Sequence, residues 1–374
     1  MTQKATRSGH YEKFGEHDHF VPKPLPPEPA FQMDAEMVEL YGEAMQSLGR
    51  LDEVGTRIPS KRQFIDVYVA KEAVLSSEIE GIYTTLTEVL EFNARKKMRE
   101  NRNVEDVLNY LDAVHHAIAM LREQNLPISN RVIRESHQVL LAGARGQNKM
   151  PGEFRKVPVF VGKLVPPPAH HVPDLIRDLE QFINENHLLL PLIRVGLAHV
   201  QFETIHPFLD GNGRIGRLLI VLMMLDYGLL KEPILYPSFY FKKFRSEYYS
   251  RLDDVRVKGD YEGWIKYFLR GVKESADDVV ARAWRVDTLI RESAERIEVE
   301  LGRTRIKGLK LLDSLCHNPV MTINDVAEAI KTTYPPAKKL VDKFVEMGIL
   351  QPEEGKQRNQ SFKFKQYLDE LERD

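Results

Sequence analysis

Cysteine is almost absent from this chain. Its 374 residues include one, Cys316, so an internal disulfide framework and a metal site built from several cysteines are both excluded. Neither sign of charge dominates, because 53 Lys and Arg residues face 55 Asp and Glu residues and the formal net charge is −2. A surface that binds nucleic acid or anionic lipid must therefore be local rather than a property of the whole chain.

Long hydrophobic runs are missing too. The N-terminus lacks the apolar core of a signal peptide. The longest apolar stretch, from Ile215 to Leu225, is interrupted by Arg217 and is too short to span a bilayer. We therefore expect a cytoplasmic protein that does not enter a membrane. Apolar residues still make up 43% of the chain, which is an ordinary globular composition, and the length favours two or three domains.

Helical periodicity dominates from Asp34 onward and predicts a mainly α fold. Residues 1–20 lack periodicity and predict a mobile tail, and the Pro-rich segment Val21–Pro29 predicts an extended strap. The predicted divisions are a tail and strap over 1–33, an N-terminal helical region over 34–103, a helical core over 104–285, a linker helix over 286–302 and a C-terminal domain over 303–374.

One segment departs from the helical pattern. Val157–Val165 is rich in β-branched residues, follows the sequence PGEFR and precedes three prolines. This pattern predicts a short β-hairpin, or flap, on the helical body.

The C-terminal residues 303–374 predict a winged helix-turn-helix domain. The pattern is three helices, the second of them capped by Thr322, followed by two short strands. Residues 331–365 contain eight basic and four acidic residues. This local excess suits DNA phosphates, and it equally suits a solvated face on a module that docks protein or supports a dimer, so both interpretations stay open.

The segment most informative about chemistry is His206–Arg217, HPFLDGNGRIGR. Pro207 and the triplet Gly211–Gly213 predict a loop, and the apolar residues after it predict a buried helix. The loop therefore presents its backbone at a helix N-terminus, where free N–H groups and the helix dipole favour an anion.

Charged residues of this segment specify the anion further. Arg214 and Arg217 share the first helical turn, where cations are disfavoured by about 0.3–1 kcal/mol each; a bound triphosphate would offset this. Asp210 would repel phosphate unless it held a divalent metal such as Mg²⁺. His206 is placed to move a proton near a phosphorus atom.

Each of these residues also has a simpler interpretation. A histidine before proline is commonly structural, paired arginines commonly lie on the surface, and Gly-Asn-Gly is a common turn. GNGRIG matches the dinucleotide pattern G-x-G-x-x-G, but no strand precedes it. We expect packing or hydrogen bonding for His199, and a loop and helix start at His170-His171. The concentration of charged and glycine residues in one short segment favours a site.

The segment resembles the signature of the Fic family, H-P-F-x-[DE]-G-N-G-R-x-x-R, at every specified position. The resemblance implies an all-α Fic core that transfers AMP from ATP to a Tyr, Thr or Ser hydroxyl of a protein. It implies that His206 is the base, that Asp210 binds Mg²⁺ and that Phe208 anchors the loop. The residues implied to hold the nucleotide phosphates are Gly211, Asn212, Gly213, Arg214 and, at the γ-phosphate, Arg217.

The resemblance extends to flanking segments. The flap residues that it places near the nucleotide and the target are Val161, Gly162 and Lys163. It brings Tyr248 and Tyr249 toward the adenosine, with core packing as the alternative, and Arg256 stands where relatives often have Asn.

Upstream, Ser76–Gly81 resembles the family's inhibitory motif, [ST]-x-x-x-E-[GN]. Its position resembles the class in which an inhibitory helix precedes the core in the same chain. Glu80 ends a predicted helix, where a carboxylate meets the negative end of the helix dipole and favours a cation. Arg217 is the expected partner, and Ser76 lies one turn back on the same face.

The sequence therefore predicts a protein adenylyltransferase that is self-inhibited by Glu80 and uses ATP and Mg²⁺. Three alternatives stay open: a Fic-fold transferase of another group such as UMP or phosphocholine, an enzyme that removes AMP, and a nucleotide-sensing DNA-binding regulator. The expected partner is a protein with an exposed hydroxyl, the chain itself included. A homodimer, and DNA at residues 303–374, are open alternatives.

Overall fold

A computed structural model of the chain describes residues 6–30, 32–57, 61–95, 101–143, 146–185, 188–353 and 360–373. These residues form an N-terminal hairpin, a helical body and a C-terminal domain with a small sheet. Within these ranges, no helix is both long enough and apolar enough to cross a membrane.

Helices make up most of the body, which confirms the prediction of a mainly α fold. In chain order they are α1 (Ala35–Arg57), α2 (Lys61–Ile79), α3 (Leu86–Arg95), α4 (Arg102–Arg122), α5 (Asn130–Leu140), α6 (Val172–Asn184), α7 (Pro191–Ile205), α8 (Asn212–Asp226), α9 (Ser238–Lys243), α10 (Arg245–Lys258) and α11 (Tyr261–Glu300). Most of these helices are predicted from the apolar periodicity to within about two residues. The periodicity misses α9 and α10, because α9 is very short and the polar α10 has no single apolar stripe.

The centre of the body is the pair α7 and α8. All residues of α7 from Leu192 to Ile205 are buried, as are nearly all residues of α8. Helices α2, α4, α5 and α7 pack around α8. The loop between α7 and α8 therefore lies on a rigid, fully packed base.

The predicted mobile tail is wrong for residues 9–20, which belong to an antiparallel hairpin of β1 (Gly9–Phe14) and β2 (His17–Pro22). Phe20 is 1% exposed, and its N–H donates to Val165 O at 2.9 Å. Periodicity fails here because only one end of the hairpin is buried, so too few apolar residues alternate to give a signal. The Pro-rich strap after β2 has no regular structure.

The predicted flap is much shorter than Val157–Val165. Val161 and Leu164 exchange both backbone hydrogen bonds at 2.9 Å and enclose Gly162, whose φ is +58°. The rest of the segment has no strand. Because glycine takes a positive φ without steric penalty, it suits this tight two-residue turn.

The predicted linker helix over 286–302 is not a separate element, because α11 continues without a break to Glu300. The C-terminal domain that follows contains α12 (Arg305–His317), β3 (Val320–Thr322), α13 (Ile323–Ala329), α14 (Tyr334–Glu346), β4 (Gln351–Pro352), β5 (Ser361–Lys363) and α15 (Lys365–Glu372). Its strands form an antiparallel sheet in the order β3-β5-β4.

Thr322 caps α13 as predicted, in a reciprocal capping box with Asp325. The three predicted helices are present, and of the two predicted strands the first lies two residues later than Ile349-Leu350, at β4. Strand β3 and helix α15 go beyond the predicted elements. Assignment of this domain to the winged-helix class remains a prediction.

The last helix joins the C-terminal domain to the body. Lys71 of α2, 5% exposed, donates from Nζ to Leu371 O at 2.7 Å. Arg285 of α11 pairs with Glu370 at 2.7 Å. Because a lysine at a helix C-terminus satisfies free carbonyls, Lys71 both holds α15 and ties it to α2.

Candidate active site

His206 lies where α7 ends. Its backbone is left-handed, with φ +50°, and its carbonyl accepts a hydrogen bond from Arg155 Nε at 2.8 Å. Burial and the nearby charge of Arg256 lower the pKa of the imidazole to about 4. The ring is therefore neutral near pH 7 and can accept a proton.

The loop after His206 holds itself in shape. Phe208 is fully buried, as predicted for its anchor. The Asn212 side chain accepts from Phe208 N at 2.8 Å and donates to Phe208 O at 2.9 Å. Both polar ends of the Asn212 side chain therefore hold the loop in shape, and the role expected for Asn212 at the phosphates stays a prediction.

Asp210 stands at the outer edge of the loop and is exposed. Its Oδ1 accepts from Gly211 N at 2.7 Å, and Gly211 turns the chain with φ +75°. The second carboxylate oxygen is left for a further partner. A single exposed carboxylate beside a phosphate-binding loop fits Mg²⁺, which is usually held by one or two carboxylates, phosphate oxygens and water.

The first turn of α8 has the features of an anion site. The N-cap residue of this helix is Gly211, which has no side chain to cap it, so the first N–H groups are left for a ligand. Arg214 is 5% exposed, and its buried Nε has no hydrogen-bond partner among the described residues. Burial lowers the pKa of Arg214, against the opposing charges of Asp210 and Glu80. A buried guanidinium without a full set of partners favours an anionic ligand.

Arg217, one turn further along α8, is held by three hydrogen bonds to Ser76 and Glu80. It donates from Nη2 to Glu80 Oε1 at 2.7 Å and to Ser76 O at 2.9 Å, and from Nε to Ser76 Oγ at 2.8 Å. The predicted pairing of Glu80 with Arg217 is therefore present, with Ser76 on the same face of α2. Burial by itself would raise the pKa of Glu80, but the charge and hydrogen bond of Arg217 outweigh it and lower that pKa.

The Glu80 carboxylate also covers the start of α8. A methyl group added at Gly213 would collide with Glu80 Oε1. The carboxylate therefore lies against the same backbone turn that would bind a phosphate. About one third of the Glu80 side chain is exposed (34%), so this carboxylate is at the opening of the site and not in its core.

The two predicted adenosine contacts differ. Tyr248 is 1% exposed, and His199 Nε2 is 2.8 Å from its hydroxyl. Tyr248 therefore belongs to the core and has no surface for a nucleotide. Core packing was the alternative stated for this residue. Tyr249 is 38% exposed. Burial and the charge of Glu80 raise the pKa of its hydroxyl, and its contact with the adenosine stays a prediction.

The flap residues are only indirectly linked to the loop. Gly162 and Lys163 are exposed and Val161 is partly buried. No hydrogen bond joins these three to His206–Arg217 in the described part of the chain. Arg155 makes the connection instead, since it donates from Nη2 to Pro167 O at 2.6 Å as well as to His206.

Sequence reasoning missed two residues that support the loop, Arg155 and His137. The His137 ring stacks on Phe208 at 3.7 Å between centroids. Its Nδ1 accepts from Gly152 N at 2.9 Å, so Nε2 carries the proton and donates to Asp210 O at 3.0 Å. Neither residue lies in a motif, and the one signal for His137 is its position on the apolar face of α5.

Two family models match the chain. The Fic/DOC family N-terminal region matches residues 38–119, and the Fic/DOC family domain matches residues 127–224, which contain the loop and the start of α8. These two matches include the end of α2 with Glu80, the loop with His206 and the start of α8.

Proteins named as Fic-type adenylyltransferases are similar to this chain as well. Protein adenylyltransferase fic-1 of Caenorhabditis elegans is 27% identical over 201 residues, which are 50% of this chain and 37% of that protein. A probable protein adenylyltransferase of Aquifex aeolicus (strain VF5) is 28% identical over 174 residues, 45% of this chain and 51% of that protein. The chain thus spans about half or less of the length of these relatives.

Solved structures share the fold. A Fic family protein from Desulfovibrio desulfuricans G20 has a TM-score of 0.57 and 21% identity, and the match covers 89% of this chain and 97% of that chain. Fic-1 from C. elegans has a TM-score of 0.54 and 20% identity, with 65% of this chain and 73% of that chain covered. At these identities the likeness concerns the fold alone.

Proposed function

We propose that the protein is an adenylyltransferase that moves AMP from ATP to a hydroxyl of a protein. The observation that carries the proposal is the single loop that brings the neutral His206 imidazole next to an uncapped helix N-terminus with the buried Arg214. Such a site can bind a triphosphate and take a proton beside it. The names of the curated relatives support the same activity.

In this reaction the target hydroxyl oxygen forms a bond to the α-phosphorus of ATP, and the bond to the departing pyrophosphate breaks. His206 accepts the hydroxyl proton. The backbone N–H groups of Gly211–Gly213, with Arg214, hold the phosphate oxygens. Their fixed positions stabilise the charge on phosphate without further rearrangement of the loop.

Asp210 is the residue that would hold Mg²⁺, which would neutralise phosphate charge when bound. Asp210→Asn keeps the size of the side chain and the Gly211 N–H contact but removes the negative charge. We expect this variant to need at least tenfold more Mg²⁺ for half-maximal transfer. Isothermal titration of Mg²⁺–ATP measures the same shift in binding, and an unchanged Mg²⁺ dependence would remove Asp210 from the site.

Self-inhibition by Glu80 is part of the proposal. Its carboxylate pairs with Arg217 and lies against Gly213, so it competes with an anionic phosphate for the same cation and the same backbone. ATP that binds beside Glu80 would lack Arg217 for its γ-phosphate, and its phosphate chain would be misaligned for attack. Misalignment of this kind lowers rates by orders of magnitude without removing a catalytic group.

The direct test incubates the Glu80→Gly protein with ATP labelled at the α-phosphate and Mg²⁺, with and without a lysate as a source of targets. We expect label on protein, and mass spectrometry should locate AMP on Tyr, Thr or Ser. Label from UTP in place of ATP would indicate transfer of UMP instead. Loss of AMP from a premodified protein without any transfer would favour the de-AMPylating alternative.

For the C-terminal domain, we propose protein docking rather than DNA binding, and the pairing of its basic side chains supports this. Four of its basic side chains are engaged in ion pairs, three within the domain and one with Glu91 of the body: Lys338, Lys343, Lys363 and Lys365. Lys356 and Arg358 lie outside the described residues. A mobility-shift assay with duplex DNA at increasing salt tests this, and we expect no salt-sensitive complex at micromolar protein.

A further inference from the structure

Three metal-ligating side chains gather outside the candidate active site. Glu12 extends from β1, and His170 and His171 belong to the short 3-10 turn Ala169–His171 before α6. One ligand atom of each lies within 4.8 Å of the others, and Glu12 Oε2 is 3.0 Å from His171 Nε2. We propose that this cluster binds one Zn²⁺ ion and thereby fastens the N-terminal hairpin to the segment that follows the flap.

The donor set suits zinc. Two imidazoles and one carboxylate are ordinary Zn²⁺ ligands, at about 2.0–2.2 Å from the ion, so their donor atoms in a tetrahedral site lie roughly 3.4 Å apart. The pair Glu12–His171 is already near that separation. His170 is exposed, and a rotation of its side chain brings its ring nitrogen to the third position. The fourth position is open to water.

The contact between Glu12 and His171 prepares the site. In the metal-free protein a proton lies between Oε2 and Nε2, donated by the imidazole. Zinc takes the place of that proton, and both atoms then direct a lone pair at the ion, because metal ligands bind in their deprotonated forms. Two of the three donors are thus ordered before the ion arrives.

The two segments that supply the donors are already fixed against each other. Phe20 N donates to Val165 O at 2.9 Å, and His19 Nδ1 is 2.7 Å from Pro166 O. Zinc binding therefore needs no movement of the hairpin toward the flap. The ion would replace the Glu12–His171 hydrogen bond, the third connection between these segments, with metal–ligand bonds at the side of the hairpin where β1 meets the start of α6.

The surroundings of Glu12 are rich in imidazole. His19 lies directly opposite Glu12 in the hairpin, and the ring of Phe14 is 5.3 Å from His170 and 5.9 Å from His19. His19 Nε2 is buried without a hydrogen-bond partner among the described residues. His19 is outside the proposed donor set, because its Nδ1 already contacts Pro166 O.

The test is isothermal titration of the untagged full chain with ZnCl₂ in excess Mg²⁺, which occupies the oxygen site at Asp210. We expect one equivalent of Zn²⁺ to bind, and Glu12→Gln, His170→Ala and His171→Ala each to weaken binding at least tenfold. The melting temperature should rise with Zn²⁺ in the wild type and not in these variants.

The matched control is His10→Ala, an exposed histidine of the same hairpin that is not in the cluster. It should bind Zn²⁺ as the wild type does. Circular dichroism verifies that each variant folds. The proposal is overturned if the wild type binds no Zn²⁺ at micromolar concentration, or if the cluster variants bind it as tightly as His10→Ala.

Discussion

Helix α8 starts between two unlike neighbours. On the side of α2, Arg217 donates three hydrogen bonds to Ser76 and the Glu80 carboxylate. On the side of α5, His137 donates to the loop backbone at Asp210 O and stacks on the Phe208 ring. One side therefore occupies the anion site, and the other side gives the loop its shape.

Similar polar contacts on the two sides of α8 should therefore have opposite effects on activity. The contacts of α5 are made to backbone atoms and an aromatic ring, none of which a nucleotide would displace. The contact of Glu80 is made to the charged group that a phosphate would also take. Removing a support should therefore slow the reaction, and removing Glu80 should accelerate it.

The largest effect on AMP transfer is expected at His206. His206→Ala, made in the Glu80→Gly protein, should lower AMP transfer about 10²–10⁴-fold, because the base for the target hydroxyl is lost. ATP affinity, measured by titration calorimetry, should change little, since the imidazole is expected to face the hydroxyl and not the phosphates. A variant that transfers AMP at the parent rate would falsify the assignment.

The pH profile sharpens this prediction. Burial lowers the pKa of His206 to about 4, so the imidazole becomes a base as the pH rises through that value. For Glu80→Gly, kcat/KM should therefore be flat across the neutral range and fall only as the pH approaches the shifted pKa. A fall near the ordinary imidazole value of about 6.5 would contradict the buried, neutral ring.

Next in size is the effect of Glu80→Gly, which should raise initial AMP transfer, or self-modification, at least tenfold. A tenfold gain corresponds to about 1.4 kcal/mol. The double variant with Arg217→Ala should lose most of the gain, because the freed arginine aligns the phosphates.

The matched control for Glu80 is Glu78→Gly. This glutamate lies two residues earlier and pairs with Lys242 at 2.6 Å instead of Arg217. The Glu78→Gly substitution loosens the same end of α2 but leaves the Glu80 carboxylate at the anion site. If Glu78→Gly activates as strongly as Glu80→Gly, the effect comes from the helix end and the competition model is wrong.

A smaller loss of activity is expected at His137, which supports the loop from α5. His137→Ala removes two hydrogen bonds, each worth about 0.5–1.5 kcal/mol, and the stacking on Phe208. In the Glu80→Gly protein we expect a severalfold rise in KM for ATP together with a lower melting temperature. His137→Gln, whose amide can replace Nε2–H at Asp210 O, should restore part of the ATP affinity, whereas equal losses in both variants would indicate a packing role only.

The smallest effect is expected far from the loop, at Lys71 of α2. Lys71→Met keeps the apolar stem but removes the donor to Leu371 O, so the end of α15 loses one hydrogen bond to α2. We expect a lower melting temperature and at most a threefold rise in AMP transfer. Lys243→Met, at an exposed lysine on α9, is the control and should change neither quantity.

Much of the site could be predicted from the sequence because its reactive residues are consecutive. One short segment contains the histidine, the glycine turn and both arginines, and helical periodicity places that segment between two buried helices. Even the partner of Arg217 could be predicted, because Ser76–Gly81 resembles the family's inhibitory motif and a carboxylate at a helix end favours a cation.

Only the tertiary structure decided the contacts between residues that are far apart in the sequence. His137 and Arg155 reach the loop from other segments, and nothing in their local sequence indicates a polar partner. Asn212 turned inward to Phe208, and Tyr248 entered the core. The N-terminal hairpin formed because β1 and β2 pair with each other and Phe20 packs on the body. Sequence patterns report which face of a segment is apolar, whereas a buried polar group is stabilised by whichever donor or acceptor the completed fold brings to it.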